Sequence, residues 1–146
     1  MRTRLRGRRL SVVFAAALGA LLIAATIGGC SGWSGAQSTV VGGYTVLFRT
    51  QPSPPKVGQT AELAVKISDD QGRPVRTCRV MARQSMPDME MSTDDDLIEL
   101  GRQGNGVYSG RSHEFSMGGD WRIDVTFDCT GKPLEAKFEF NLPWPE

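Results

Sequence analysis

The sequence predicts an all-β fold: an immunoglobulin-like antiparallel β-sandwich of about seven strands, preceded by a signal peptide. Two observations predict the sandwich. Apolar residues recur at alternate positions in several short runs, and turn-forming residues separate those runs, whereas no run keeps a helical period. The length of 146 residues suits one such domain behind a leader and excludes a multidomain enzyme.

The clearest strand signals lie in the last third of the chain. Two strands there have apolar residues of one parity: Trp121, Ile123, Val125, Phe127 and Cys129, then Leu134, Ala136, Phe138, Phe140 and Leu142. The earlier strands are predicted at 44–48, 63–67, 75–84, 97–100 and 107–115. Turn signals rich in proline, glycine, aspartate and asparagine stand at 51–55, 69–74, 104–106, 118–120 and 130–133.

The start of the chain is typical of an export signal. Residues 2–9 contain five arginines and no acid, and residues 10–27 are apolar and uncharged. The motif Ile27-Gly28-Gly29-Cys30 then resembles a bacterial lipoprotein cleavage box. The resemblance implies that Cys30 is diacylated on sulfur and becomes the mature N-terminus, which gives a stable lipid anchor.

This interpretation divides the chain into three parts. Residues 1–29 are the lipoprotein signal peptide, 30–42 are a lipid-anchored tether that lifts the domain off the lipid surface, and 43–146 are the β-sandwich domain. An uncleaved anchor is the alternative, because the apolar residues 10–27 are just long enough to span a bilayer. Both interpretations place the domain outside the cytoplasm, in the periplasm or on the outer surface of a bacterial cell membrane.

Charge and residue usage narrow the function classes. Without the leader, 12 basic and 16 acidic residues remain, so the body has a net charge of −4 and no general attraction to nucleic acid. His113 is the single histidine, and no nucleophile–base pair is evident in the sequence. We therefore predict a protein that is not an enzyme and has no catalytic residue.

Two cysteines remain once Cys30 carries lipid. Cys78 and Cys129 are an even pair in an oxidising compartment, where disulfides persist. Each shares its face with inward apolar residues, so we predict a Cys78–Cys129 disulfide that meets across the core. The alternative is a thiolate metal site, which the lack of a CxxC motif disfavours.

Methionine is concentrated in one short segment. Met86, Met89 and Met91 lie within six residues, and Met117 lies four residues after His113. Thioethers are soft ligands, so three sulfurs, with or without one imidazole, suit Cu(I) better than zinc or calcium. Trp121 is a candidate cation–π partner above the ion.

A structural role for the same residues is the alternative. Methionines often fill irregular gaps in β-sandwich cores. His113 next to Glu114 then forms a solvated polar pair, and Trp121 is a core tryptophan.

At these residues the sequence resembles a known family, the YtkA-like and FixH-like extracytoplasmic domains, over about residues 43–142. The resemblance rests on these motifs: Tyr44-Thr45-Val46, Asp70-Gln71-Gly72-Arg73-Pro74-Val75, Met86-Pro87-Asp88-Met89-Glu90-Met91, Gly106-Val107-Tyr108-Ser109-Gly110 and Met117-Gly118-Gly119-Asp120-Trp121-Arg122-Ile123. It implies an immunoglobulin-like sandwich at the membrane's outer face, associated with copper handling or with assembly of copper-containing respiratory oxidases. It also implies that Met86, Met89, Met91 and Met117 are the ligands. FixH-type members have a membrane helix, whereas the cleavage-box motif predicts a lipid anchor for this chain.

The sequence therefore predicts a lipid-anchored protein that binds or relays Cu(I), with no other cofactor. The predicted ligands are Met86, Met89, Met91, Met117 and His113. Expected partners are the membrane, through the lipid anchor, and a copper protein or envelope complex, but not nucleic acid. The alternative is a protein-interaction or scaffold module of the cell envelope with its methionines in the core, or an accessory subunit of an efflux or respiratory complex.

Overall fold

The computed structural model describes residues 32–89 and 97–145. The signal peptide, Cys30 and Met91 lie outside the described residues. Within these ranges every regular element is a β-strand, as predicted, and no helix there is long and apolar enough to cross a membrane.

Eight antiparallel strands form the domain, where the sequence indicated about seven. They are β1 (Gln37–Val41), β2 (Tyr44–Gln51), β3 (Glu62–Ser68), β4 (Arg79–Ser85), β5 (Leu97–Gly104), β6 (Val107–Arg111), β7 (Gly119–Asp128) and β8 (Pro133–Leu142). Their order in space is β1-β2-β3-β6-β5-β4-β7-β8.

The strands form two layers that share β5. Residues 97–100 of β5 pair with β4, and residues 101–104 pair with β6, so this strand passes from one layer to the other. At the opposite edges, Gln37 Nε2 donates a hydrogen bond of 2.9 Å to the backbone oxygen of Glu139 and links β1 to β8. The result is a nearly closed sheet consistent with the predicted sandwich.

The additional strand, β1, lies within the range 30–42 that sequence analysis assigned to the tether. It pairs with β2 from Gln37 opposite Phe48 to Val41 opposite Tyr44. Its residues are exposed or half-buried, so it contributes backbone pairing rather than core side chains. The folded domain therefore begins before residue 43.

The predicted alternation is confirmed in the core. In β7, Trp121, Ile123, Val125 and Phe127 are buried, whereas the residues between them are half-buried and Asp120 is exposed. The main core lies between the layers, where the rings of Phe48 and Phe138 stack with centroids 4.8 Å apart. A second, smaller cluster lies at one end of the domain; its buried members are Ala61, Phe115, Trp121 and Leu142.

A disulfide joins Cys78 to Cys129, so the predicted pairing is confirmed. The expectation that it crosses the core is wrong. Arg79 pairs with Asp128, so the bond links neighbouring strands of one sheet. Parity places both cysteines toward the core, where they are half-buried, but parity carries no information on which strands are neighbours.

Because all pairs are antiparallel, the connections fall at two ends of the domain. Pairings such as Gln51 with Glu62 and Ser85 with Arg122 define one end. We call it the tether end; it carries residues 32–36, 52–61, 86–89, 112–118 and 143–145. The disulfide end is opposite and carries residues 42–43, 69–78, 105–106 and 129–132.

The turn that follows β3 at the disulfide end is fixed by Asp69. Its carboxylate accepts hydrogen bonds from the backbone N–H groups of Arg73 (2.8 Å) and Gln71 (3.0 Å) and pairs with Arg73 Nε at 2.7 Å. These donors, led by the Arg73 backbone N–H, hold the pKa of the Asp69 carboxyl below its ordinary value.

Candidate functional site

An open cleft at the tether end is lined in part by residues that the sequence singled out. Its volume is about 170 Å³, and its lining comprises Gln84, Ser85, Met86, Met89, His113, Glu114, Ser116, Met117 and Trp121. Four of the five predicted ligands are therefore brought together. The fifth, Met91, is outside the described residues.

Two separate segments supply these side chains. Met86 and Met89 follow the end of β4 in a turn closed by a 3.1 Å hydrogen bond from the Met89 N–H to the Met86 oxygen. His113 and Met117 belong to residues 112–118, between β6 and β7. The sequence predicted extended chain over 107–115, and the structure ends β6 at Arg111.

The loop before β3 holds the second segment in place. The Ser112 N–H donates to the Ala61 oxygen at 2.8 Å, and the Phe115 N–H donates to the Gln59 oxygen at 3.0 Å. Phe115 itself is fully buried. One wall of the cleft is therefore anchored to the fold by backbone hydrogen bonds and a buried ring.

The three methionines differ in accessibility. Met86 and Met117 are half-buried and pack against the smaller core cluster, whereas Met89 is 37% exposed. Gly119 leaves room for Met86, because a Cβ on this glycine would lie 3.1 Å from the Met86 Cε. His113 is exposed at the cleft.

Trp121 orders the segment that carries Met117. The indole Nε1–H donates a 3.0 Å hydrogen bond to the backbone oxygen of Met117. The ring is 6% exposed and meets Phe115 edge-on, with centroids 5.1 Å apart. Trp121 is thus a core tryptophan, as one of the two interpretations predicted, and it also lines the cleft; its role as a cation–π partner stays a prediction.

Comparison with known families adds one finding. A family model described as YtkA-like matches residues 39–126, more than half of the chain. The chain belongs to the YtkA-like family. Neither the curated proteins nor the solved structures gave a match.

The YtkA-like match covers the methionine cleft. All the residues that line the cleft lie within 39–126, whereas Cys129, Trp144 and the start of the tether lie outside. The candidate site is therefore built from the part of the chain that the family model matches.

The YtkA-like cleft also has polar lining that the sequence analysis missed. Gln84 and Ser85 are 6% and 8% exposed, and Gln84 Oε1 and Ser85 Oγ have no hydrogen-bond partner among the described residues. Gln84 Nε2 reaches the Glu114 oxygen at 3.5 Å. Buried polar atoms of this kind usually bond to ordered water or a ligand. Gln84 had a sequence signal, since it shares the inward parity of Val80 and Ala82.

The donor set in this YtkA-like chain is soft. Among the described residues, no group of three histidine, cysteine, aspartate or glutamate side chains is placed to hold a metal ion. The cleft instead combines three thioethers with one imidazole. Such donors suit a soft, low-charge cation and give zinc or calcium few of the ligands those ions prefer.

Proposed function

We propose that this YtkA-like protein binds Cu(I) in the cleft and holds or relays it at the outer face of a bacterial membrane. The ligands are the sulfurs of Met86, Met89 and Met117, with His113 as an imidazole ligand. One observation supports this most directly: methionines from two separate segments line the same open cleft.

The chemistry of the thioether favours this assignment. A thioether sulfur is neutral, so it binds a cation without first losing a proton, and it remains available where thiols are consumed by disulfides. Glu114 lines the cleft and Asp88 is exposed in the turn between Met86 and Met89, so both add negative charge near the cation.

The three methionines differ in solvent accessibility, and this difference suits the relay of Cu(I) as well as its storage. Met86 and Met117 are held against the core, whereas Met89 is exposed at the mouth. A ligand of another copper protein can displace the exposed sulfur first while the other two keep the ion. Transfer then proceeds by stepwise ligand exchange and needs no unfolding.

Attachment to the membrane is part of the proposal. The cleavage box that ends at Cys30 supports a diacylated N-terminus, and two acyl chains give stable anchoring. The protein is then extracytoplasmic, and its partners are a copper protein or an envelope complex.

One observation favours a second candidate function. Met86 and Met117 pack against the cluster that contains Phe115 and Trp121, as structural methionines do. In that case the domain is a scaffold or interaction module of the envelope, and the cleft binds no metal.

A Cu(I) titration of the body from residue 31 onward, which contains both core clusters, tests the proposal. In competition with a chromophoric Cu(I) chelator, we expect one ion to bind per chain. Replacing Met86, Met89 and Met117 by leucine should weaken binding at least about 100-fold, since it removes every sulfur described in the cleft. Leucine conserves volume and apolarity, so each substitution should lower stability by less than about 1.5 kcal/mol.

Met81→Leu is the matched control. Met81 lies on β4 with the parity opposite to Val80 and Ala82, and it does not line the cleft, so binding should be unchanged. Methyl NMR of methionine-labelled protein with Ag(I), a redox-stable substitute, should shift the Met86, Met89 and Met117 signals and leave Met81 in place. No binding by the parent would favour the scaffold, and full binding by the triple variant would refute the ligand assignment.

A further inference from the structure

The tether is held against the domain. The Trp33 ring lies over the Arg49 guanidinium, 4.7 Å from the ring centroid, and Arg49 Nη1 donates to the Gly32 oxygen. The Ala36 N–H closes a turn onto the Trp33 oxygen at 3.2 Å. The first described residues of the predicted tether are therefore held on the domain.

This contact fixes where the membrane attachment leaves the domain. Cys30 precedes Gly32 by two residues, and an extended chain spans at most about 3.6 Å per residue, so Cys30 lies within about 7 Å of Gly32. Gly32 is at the tether end, next to Arg49 of β2. The tether end is thus the part of the domain nearest to the lipid.

An apolar groove of about 460 Å³ lies at the same end. Most of its lining is proline, valine and tryptophan: Pro52, Pro54, Pro55, Val57, Pro143, Trp144 and Pro145, with Ser53 and Lys56. Trp144 is 65% exposed. Ser53 and Pro54 also line a small cleft with Gly35 and Arg49, so the groove adjoins the tether.

The groove also adjoins the methionine cleft. A Cβ built on Gly119 would lie 3.1 Å from the Met86 Cε and 3.9 Å from Trp144 Cζ2. The exposed tryptophan and the buried side of the cleft are therefore separated by one glycine. A surface that covers Trp144 lies close to the cleft.

We infer that the tether end rests on the phospholipid surface, with Trp144 and its neighbouring prolines in the headgroup region and the methionine cleft at the level of the membrane. Tryptophan favours this region because its ring is amphipathic. Attachment through Cys30 or through residues 10–27 keeps the groove beside the lipid. Contacts between the groove and the lipid therefore add to the binding that the N-terminal attachment already provides.

Charge indicates which lipid fits. Lys56 gives the groove one positive charge, but the acids Asp88, Glu114 and Asp120 stand around the neighbouring cleft and its side. Anionic headgroups would be repelled there, so a zwitterionic surface suits this end better. Contact then depends on apolar insertion rather than on a basic patch.

The inference rests on the proposed membrane attachment and not on copper, so the experiment uses metal-free protein. The full chain is reconstituted in phosphatidylcholine vesicles with and without brominated acyl chains, and attachment is verified by flotation. The chain has three tryptophans, so at equal protein concentration the emission lost to brominated lipid should be larger for the parent than for Trp144→Phe, by up to about one third of the parent's total emission.

The matched control moves the tryptophan to the other end. Trp144→Phe combined with Lys132→Trp keeps three tryptophans and places the new one in the exposed turn at the disulfide end. The amount of emission that this variant loses per molecule should therefore equal the amount lost by Trp144→Phe. A chain that does not float would overturn both the attachment and the inference. A chain that floats with Trp144 unquenched would overturn the inference alone. The same conclusion would follow if the relocated tryptophan were quenched as strongly as Trp144.

Discussion

Gly118 determines how closely the C-terminal segment approaches the cleft. A Cβ on this residue would lie 2.7 Å from the Cα and 2.8 Å from the backbone nitrogen of Trp144. Backbone atoms cannot turn aside as a flexible side chain can. Only glycine therefore allows Trp144 to lie beside Gly119 and Met86.

Gly118→Ala should accordingly destabilise the domain. Forcing one methyl group into this contact should cost about 1–3 kcal/mol, because the strand end or the loop must shift. Chemical denaturation measures the change. Gly101→Ala is the control, since its Cβ would meet nothing nearer than the Ser109 oxygen at 3.8 Å. Equal stability of the two variants would show that the contact between residue 118 and the Trp144 backbone can accommodate a methyl group.

Residue types predicted the site better than residue spacing did. Sulfur chemistry singled out Met86, Met89 and Met117 before any contact was known, and the structure places all three at one cleft. Ser85 and Ser116 were missed, because a serine near a strand end has no distinctive sequence signal. Their place in the cleft depends on how β4 meets the start of β7.

At the scale of the element, β7 and β1 show what periodicity can predict. Alternating apolar residues made β7 recognisable, because its side chains fill the core on one face. In β1, the sequence Gln-Ser-Thr-Val-Val has no such alternation, since the strand is an edge held by backbone pairing with β2. A sequence pattern that reflects side-chain burial does not identify a strand that buries few side chains.

The tyrosine of β6 joins two elements that are distant in sequence. The Tyr108 hydroxyl donates to the Val75 oxygen and accepts from the Cys78 N–H, both at 3.0 Å. The side chain is 1% exposed. It thereby holds the segment that leads into β4, next to the disulfide.

Tyr108→Phe should lower the free energy of unfolding by about 1–3 kcal/mol, because it leaves the Val75 oxygen and the Cys78 N–H without this partner. Thermal or denaturant unfolding measures the loss. Tyr44→Phe is the control: Tyr44 meets Phe127 edge-on at 5.8 Å, and phenylalanine keeps that ring contact. A loss no larger than that of the control would show that the Tyr108 hydroxyl bonds are of little energetic value.

At the scale of the whole molecule, stabilising bonds and candidate functional features lie at opposite ends of the domain. The disulfide and the Asp69 turn stabilise one end, and the candidate metal site and the proposed membrane attachment lie at the other. The sequence predicted the cysteine pair and the methionine cluster, but it could not show that they are at opposite ends. That arrangement depends on strand order, which side-chain parity does not encode.

The disulfide should therefore affect stability without affecting the cleft. Its cysteines are 51 residues apart, and the chain-entropy model gives about 4 kcal/mol for a loop of that length. We expect Cys78→Ala/Cys129→Ala to unfold at lower denaturant concentration and still bind Cu(I) with the affinity of the parent. Reducing the parent should reproduce the loss. Unchanged stability, or weakened copper binding in the folded variant, would contradict this separation.

The link between β1 and β8 has a consequence for the proposed membrane attachment, which would crowd copies of the protein in two dimensions. Confinement to a membrane raises the local concentration of neighbouring copies, and free strand edges would then template polymerisation. Here the first and last strands approach each other and share the Gln37–Glu139 hydrogen bond. The approach of β1 to β8 narrows the open backbone ladder of these two edge strands, so a neighbouring copy attached to the same membrane would find less of it on which to add a strand.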